Sequence, residues 1–272
     1  MVRTLIKHEA LRTRGWILVV FGAATLVTLL GLLMEFMPWD IVKGFGFVLS
    51  LVATSSLLMV VMVGLAFDYW RSSYKKTGYF TQSLPIKGST IYGAKLLWGS
   101  IVSLVALLLN VVLGVVAVYG GSRAFGEAIT FREIFHAVSV TIDALPGWTW
   151  ALLLVVVLAL VVASVGQYYF AASIGSESSM NRLGFGGPIL VYFVLYMVMQ
   201  LLLFVGIIAV PLGLGVAPEG GLILERMSFM SSMVSDQDPN GVPIGFIPVL
   251  LVVSAVLIWR TVVSWNKKVS LA

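Results

Sequence analysis

The residues of this chain best able to do chemistry lie between Asp68 and Lys95, in the run DYWRSSYKKTGYFTQSLPIKGSTIYGAK. Its rings and lysine stems suit it either to rest on lipid headgroups or to be gripped by a soluble partner. The centre of the run, Lys76, Gly78, Tyr79, Phe80, Thr81, Gln82, Ser83, Leu84 and Pro85, is the candidate docking site. Covalent and metal chemistry have few means here. There is no cysteine, so a disulfide framework, a thiol nucleophile and a thiolate metal site are all excluded. His8 and His136 are expected on opposite sides of a membrane and cannot share a metal. No G-x-x-x-x-G-K-[ST] run is present, so by this motif the chain does not itself bind and hydrolyse ATP.

The elements that must position the candidate segment are membrane spans. With 60% hydrophobic residues, 11% charged residues and a mean hydropathy of +1.04, the chain cannot cover a water-exposed fold with polar surface. A helix rises about 1.5 Å per residue and needs about 20 apolar residues to cross a hydrocarbon core of roughly 30 Å. Six stretches meet that length: 16–34, 45–67, 96–119, 148–172, 188–212 and 242–259. They leave no room for a separate soluble core, so one membrane domain covering 1–272 is expected. The first run is too long for the core of a signal peptide and has no small-residue cleavage site behind it, so it reads as a retained span.

None of these six stretches contains Asp, Glu, Lys, Arg or His, which argues against a proton- or ion-driven carrier and against an intramembrane hydrolase. Their polar residues are mild: Thr25, Thr28, Thr54, Ser55, Ser56, Asn110, Gln167 and Gln200. Packing against neighbouring helices is the ordinary use of such groups. Asn110 and Gln200 are carried forward as candidates for a substrate pathway.

An even number of spans puts both termini on one side, and the distribution of Lys and Arg says which. Arg3, Lys7, Arg12, Arg14, Arg71, Lys75, Lys76, Lys87, Lys95, Arg182, Arg260, Lys267 and Lys268 share one side with both termini, whereas the other keeps Lys43, Arg123, Arg132 and Arg226. Of the acidic residues, only Glu9, Asp68 and Glu177 lie on the basic side. Both termini are therefore expected in the cytoplasm. The net charge of +5 follows topology, so anionic lipid is the nearer partner and nucleic acid is not expected.

Local signals fill in the connections. Residues 5–14, with Lys7, Arg12 and Arg14 among apolar positions, predict a short amphipathic helix at the lipid interface that turns into the first span. Between spans two and three, Pro85 predicts a break, with Ser89 or Thr90 capping a helix that runs through Lys95. Thr130-Phe131-Arg132-Glu133 fits a capping box and, with Phe135, Val138 and Ile142, predicts a helix on the outer surface before span four. Leu222, Ile223, Met227, Met230, Met233 and Val234 predict another short helix before span six. Its methionines, Met227 and Met230 among them, are adaptable enough to meet apolar cargo, although burial against neighbouring helices is their commoner use.

Lys76-Thr77-Gly78 followed by Ser83-Leu84-Pro85-Ile86, with Lys95 leading into a span, resembles the connection between spans two and three of type-2 ABC transporter permeases. The start, Leu5-Ile6-Lys7-His8-Glu9 with Leu11, Arg12 and Arg14, is similar to the amphipathic helix with which those permeases begin. The resemblance implies an all-α integral membrane protein whose 76–85 region is a cytoplasmic coupling helix docked on an ATP-binding subunit. It also implies re-entrant helices before the last span. Because six spans make half of the usual twelve-span pathway, it further implies a second permease copy or paralogue and two ATP-binding subunits that hold ATP and Mg. This chain would carry no cofactor and would not be an enzyme alone. The setting implied is an exporter in the cell membrane of a bacterium. Composition and topology fit a membrane scaffold or assembly factor equally well, and an uncoupled carrier is a lesser alternative; only the pattern from Gly78 to Lys95 separates them.

Overall fold

The computed structural model describes residues 2–75, 78, 85–126, 129–144, 147–177, 180–216, 222–226 and 241–267. Six helices are long and apolar enough to cross a membrane: α1 (Val2–Glu35), α2 (Asp40–Tyr74), α3 (Gly88–Ala124), α5 (Gly147–Ile174), α6 (Gly186–Ala209) and α7 (Phe246–Lys267). A shorter helix, α4 (Phe131–Ala144), lies between α3 and α5, and a 3-10 turn (Asn181–Leu183) precedes α6. The chain is a multi-pass membrane protein in architecture. It folds as two compact units, residues 1–68 with 93–140 and residues 69–92 with 141–272.

In the first unit α1 is a single helix of 34 residues, so the expected interfacial helix and first span are continuous, with no turn between them. At about 1.5 Å per residue it is about 51 Å long, well beyond the roughly 30 Å of hydrocarbon. Nothing in 5–16 breaks it: there is no proline, and Gly15 stands among good helix formers. α1 and α2 approach closely where Gly31 meets Gly46. A Cβ on either glycine would press on the other's carbonyl oxygen, so a bare backbone at both positions is what permits the contact.

Four of the span hydroxyls serve their own helices rather than their neighbours, whereas Thr54 is buried with no hydrogen-bond partner among the described residues. Thr25 and Thr28 donate to the carbonyls of Phe21 (2.8 Å) and Ala24 (2.9 Å), while Ser55 and Ser56 donate to those of Val52 (3.3 Å) and Ala53 (3.4 Å). A hydroxyl satisfied in this way adds no polarity to a pathway.

In the second unit α5, α6 and α7 pack around Leu195, Met199 and Leu257, with Phe170, Leu203, Leu250 and Val253 against them. Gly206 on α6 faces Val249 and the carbonyl of Gly245, which brings α7 close.

Two expectations at the end of the chain are corrected. The segment before the last span contains strands, β1 (Leu212–Val216), β2 (Leu222–Arg226) and β3 (Gly241–Pro243), in the antiparallel order β2-β1-β3, so the expected outer helix does not begin at Leu222, while Met227, Met230, Met233 and Val234 of its stripe lie outside the described residues. Span five accordingly ends at Ala209, and the helix of span six begins at Phe246 instead of 242. The physical reason lies in Leu212-Gly213-Leu214-Gly215-Val216, an alternation with the period of a strand and two poor helix formers. Pro211 removes a helical donor just before it. Leu222 and Ile223, taken as part of a helical stripe, are strand residues; Ile223 pairs with Gly215.

Candidate functional site

Of the candidate docking residues, Gly78 and Pro85 are described. Lys76, Tyr79, Phe80, Thr81, Gln82, Ser83 and Leu84 lie outside the described residues, as do Met227 and Met230. Gly78 is buried and its N–H donates to the Lys75 carbonyl at 2.6 Å. A Cβ there would fall on the Ser73 carbonyl, so the chain can pass this close only as glycine. Pro85 is exposed at a bend, and α3 then begins at Gly88, with the N–H of Thr90 donating to the Lys87 carbonyl at 2.9 Å. The helix thus starts one residue before Ser89, which with Thr90 was expected to cap it, and the stretch that Pro85 was expected to end, 79–84, lies outside the described residues.

Both flanks of the segment are rooted in one buried polar and aromatic cluster of the second unit. On the α2 side, the Tyr69 hydroxyl lies 2.7 Å from Ser173 Oγ of α5 and accepts the Trp265 Nε1–H of α7 at 2.6 Å. The Tyr74 hydroxyl donates to the same Ser173 Oγ at 2.9 Å. Tyr69 stacks on Tyr169 with ring centroids 4.0 Å apart and planes 6° from parallel, while Tyr74 and Tyr92 meet Tyr69 edge-on. Tyr69, Tyr92 and Ser173 are at most 1% exposed. On the α3 side, Tyr92 enters the cluster and Gly88 packs against the Trp265 carbonyl and Asn266.

The cluster is locked from outside by an ion pair. Arg260 of α7 donates to both carboxylate oxygens of Glu177, at 2.8 and 3.2 Å, and Ser264 donates to Glu177 Oε1 at 2.8 Å. The hydroxyls of Tyr69, Tyr74 and Ser173 and the Trp265 indole N–H satisfy one another in a specific contact, because an unpaired group there would cost its full desolvation.

A second network, in the first unit, joins α1, α2 and α3. Arg12 of α1 pairs with Glu9 and, at 2.5 Å, with Asp68 of α2; Lys95 of α3 pairs with Glu9 at 2.9 Å; Trp98 Nε1–H donates to Thr13 Oγ1 at 3.0 Å. Glu9, Asp68 and Glu177, the three acidic residues on the basic side, are thus all paired. That signal was available, because an acid retained on a strongly basic face invites a structural partner.

The pathway candidates stand apart in kind. Asn110 is half-buried on α3 in the first unit, and Gln200 is exposed on α6 in the second. An exposed amide amid Met197, Val198 and Leu201 is costly in hydrocarbon. No group of three or more His, Cys, Asp or Glu able to hold a metal occurs among the described residues. No family profile, curated protein or solved structure matches the chain.

Proposed function

We propose that this chain is the membrane-spanning subunit of an ATP-binding cassette exporter and that residues 76–85 dock on a separate ATP-binding subunit. The observation that carries the reading is the rooting of both flanks of that segment, at Tyr69–Tyr74 and at Gly88–Tyr92, in contacts with α5 and α7. A loop that merely joined two spans would have no need of such an anchor. A loop that is pushed needs one, because force must leave it along well-packed contacts.

In this reading two ATP-binding subunits hold ATP and Mg, and their closure displaces the docking segment. The Tyr69 cluster carries the displacement to α5 and α7, and a second copy or paralogue of the chain completes the pathway. An exposed Gln200 fits a helix face covered by that second subunit. The positive-inside distribution of Lys and Arg supports a cytoplasmic position for both termini and the docking segment, and the proposed setting is the cell membrane of a bacterium.

The test is purification of the tagged chain from native membranes in mild detergent, alongside a Phe80→Asp, Leu84→Asp variant. An ATP-binding subunit and ATPase activity should copurify with the parent chain and be lost from the variant. Recovery of the parent chain without any ATPase would transfer the case to a membrane scaffold.

A further inference from the structure

The sequence places no ionisable group inside its expected spans, yet α1 extends to Glu35, whose side chain is buried at 2% exposure among α1, α2 and α3. Its surroundings are shaped to a carboxyl group. Glu35 Oε1 lies 3.3 Å from Ser50 Oγ of α2. Oε2 rests over Gly120 of α3, where a Cβ would collide with it, and has no hydrogen-bond partner.

A proton inventory follows from Ser50. Its hydroxyl is 3.3 Å from both the Thr28 carbonyl and Glu35 Oε1. The carbonyl can only accept, and the serine has one hydrogen. If Ser50 donates to Thr28, then the contact with Glu35 is a hydrogen bond only when the carboxyl donates, and a carboxyl donates only when it carries a proton. Among the described residues no cation pairs with this carboxyl: the Arg123 guanidinium of α3 lies over the Phe36 and Tyr119 rings, 5.2 Å from each centroid, and Lys43 of α2 pairs with Asp40. Leu32 of α1 also faces Gly120 beside the carboxyl. A carboxylate with one oxygen unbonded in such a place would cost several kcal/mol, about what makes buried acids neutral.

We infer that Glu35, Ser50 and the Thr28 carbonyl form a proton-binding site in which Glu35 donates to Ser50 and Ser50 to Thr28. The site does not depend on the exporter reading. It gives the helical bundle one exchangeable proton.

Infrared spectroscopy of the purified full-length chain in lipid nanodiscs at neutral pH tests it. The protonated-carboxyl C=O band is expected in the parent chain and should vanish in Glu35→Gln. In Ser50→Ala, which keeps the carboxyl but removes its acceptor, the band should persist and move to higher frequency. A parent spectrum indistinguishable from that of Glu35→Gln in this region would overturn the inference. So would loss of the band when sodium chloride replaces choline chloride at fixed pH, which would make the site one for a monovalent cation.

Discussion

Tyr69 and Ser173 meet hydroxyl to hydroxyl at 2.7 Å, 104 residues apart in the chain, and the same Tyr69 oxygen accepts the indole N–H of Trp265. Three helices, α2, α5 and α7, are therefore held at one oxygen atom. Tyr69→Phe keeps the stack on Tyr169 but strands the Trp265 N–H. A loss of about 1–3 kcal/mol, seen as a lower melting temperature in detergent, is expected. A double-mutant cycle with Trp265→Phe should show coupling, whereas additive effects would mean that the hydroxyl is not shared.

Ion pairs of the same composition should differ in worth with burial. The Lys95 side chain is 2% exposed beside Glu9, which also pairs with Arg12, so Lys95→Ala leaves the carboxylate one cation instead of two and should cost about 1–3 kcal/mol. Lys43 pairs with an Asp40 side chain that is 94% exposed, and Lys43→Ala should cost about 0–1 kcal/mol. Thermal unfolding of the two variants side by side checks the order.

Helix contacts made through glycine should reject a methyl group selectively. At Gly31 a Cβ would press on the Gly46 carbonyl and Ser50, whereas at Gly114 nothing lies within 4 Å. Gly31→Ala should destabilise by about 1–3 kcal/mol through overpacking. Gly114→Ala should be neutral or slightly stabilising, since alanine favours a helix by about 1 kcal/mol over glycine.

The capping box of α4 should respond to acid. The Thr130 N–H and hydroxyl donate to Glu133 Oε2 at 2.7 and 3.0 Å, and the Glu133 N–H donates to Thr130 Oγ1 at 3.3 Å. The backbone bond from Thr130, then its side-chain bond, hold the Glu133 carboxyl below its usual range. Its support of the helix is therefore present above the ordinary glutamate value and fades as pH falls through the lowered one. Hydrogen exchange across 131–136 should quicken over that acid window in the parent chain, and Glu133→Gln should flatten the response.

Much of this architecture was legible in advance because lipid imposes a simple requirement, a long apolar helix, and six such runs became six helices. The capping box at Thr130 was legible because it is a local rule. What escaped was of other kinds. The 212–216 strand was hidden because an apolar run looks alike as helix end or strand until its glycine alternation is weighed. Glu35 was missed because it stands one residue beyond the apolar run that defined span one, while the helix carries it into the bundle. The Tyr69 cluster and the pairs of Glu9, Asp68 and Glu177 depend on residues about 50 to 200 positions apart, which no window along the chain can join.

Because the chain has no cysteine, each introduced cysteine is unique. Lys87→Cys should react with a membrane-impermeant maleimide only after spheroplasts are opened, and Ser139→Cys in intact ones. Both are exposed. The reverse pattern would invert the topology and remove the docking segment from the cytoplasm.

The most direct measurement replaces Phe80 with a photo-crosslinking phenylalanine analogue in the full chain, irradiates native membranes and identifies the adduct by mass spectrometry. The account predicts a covalent adduct to an ATP-binding subunit, diminished by the Leu84→Asp change in the same chain. Adducts confined to lipid or to the chain itself would contradict it.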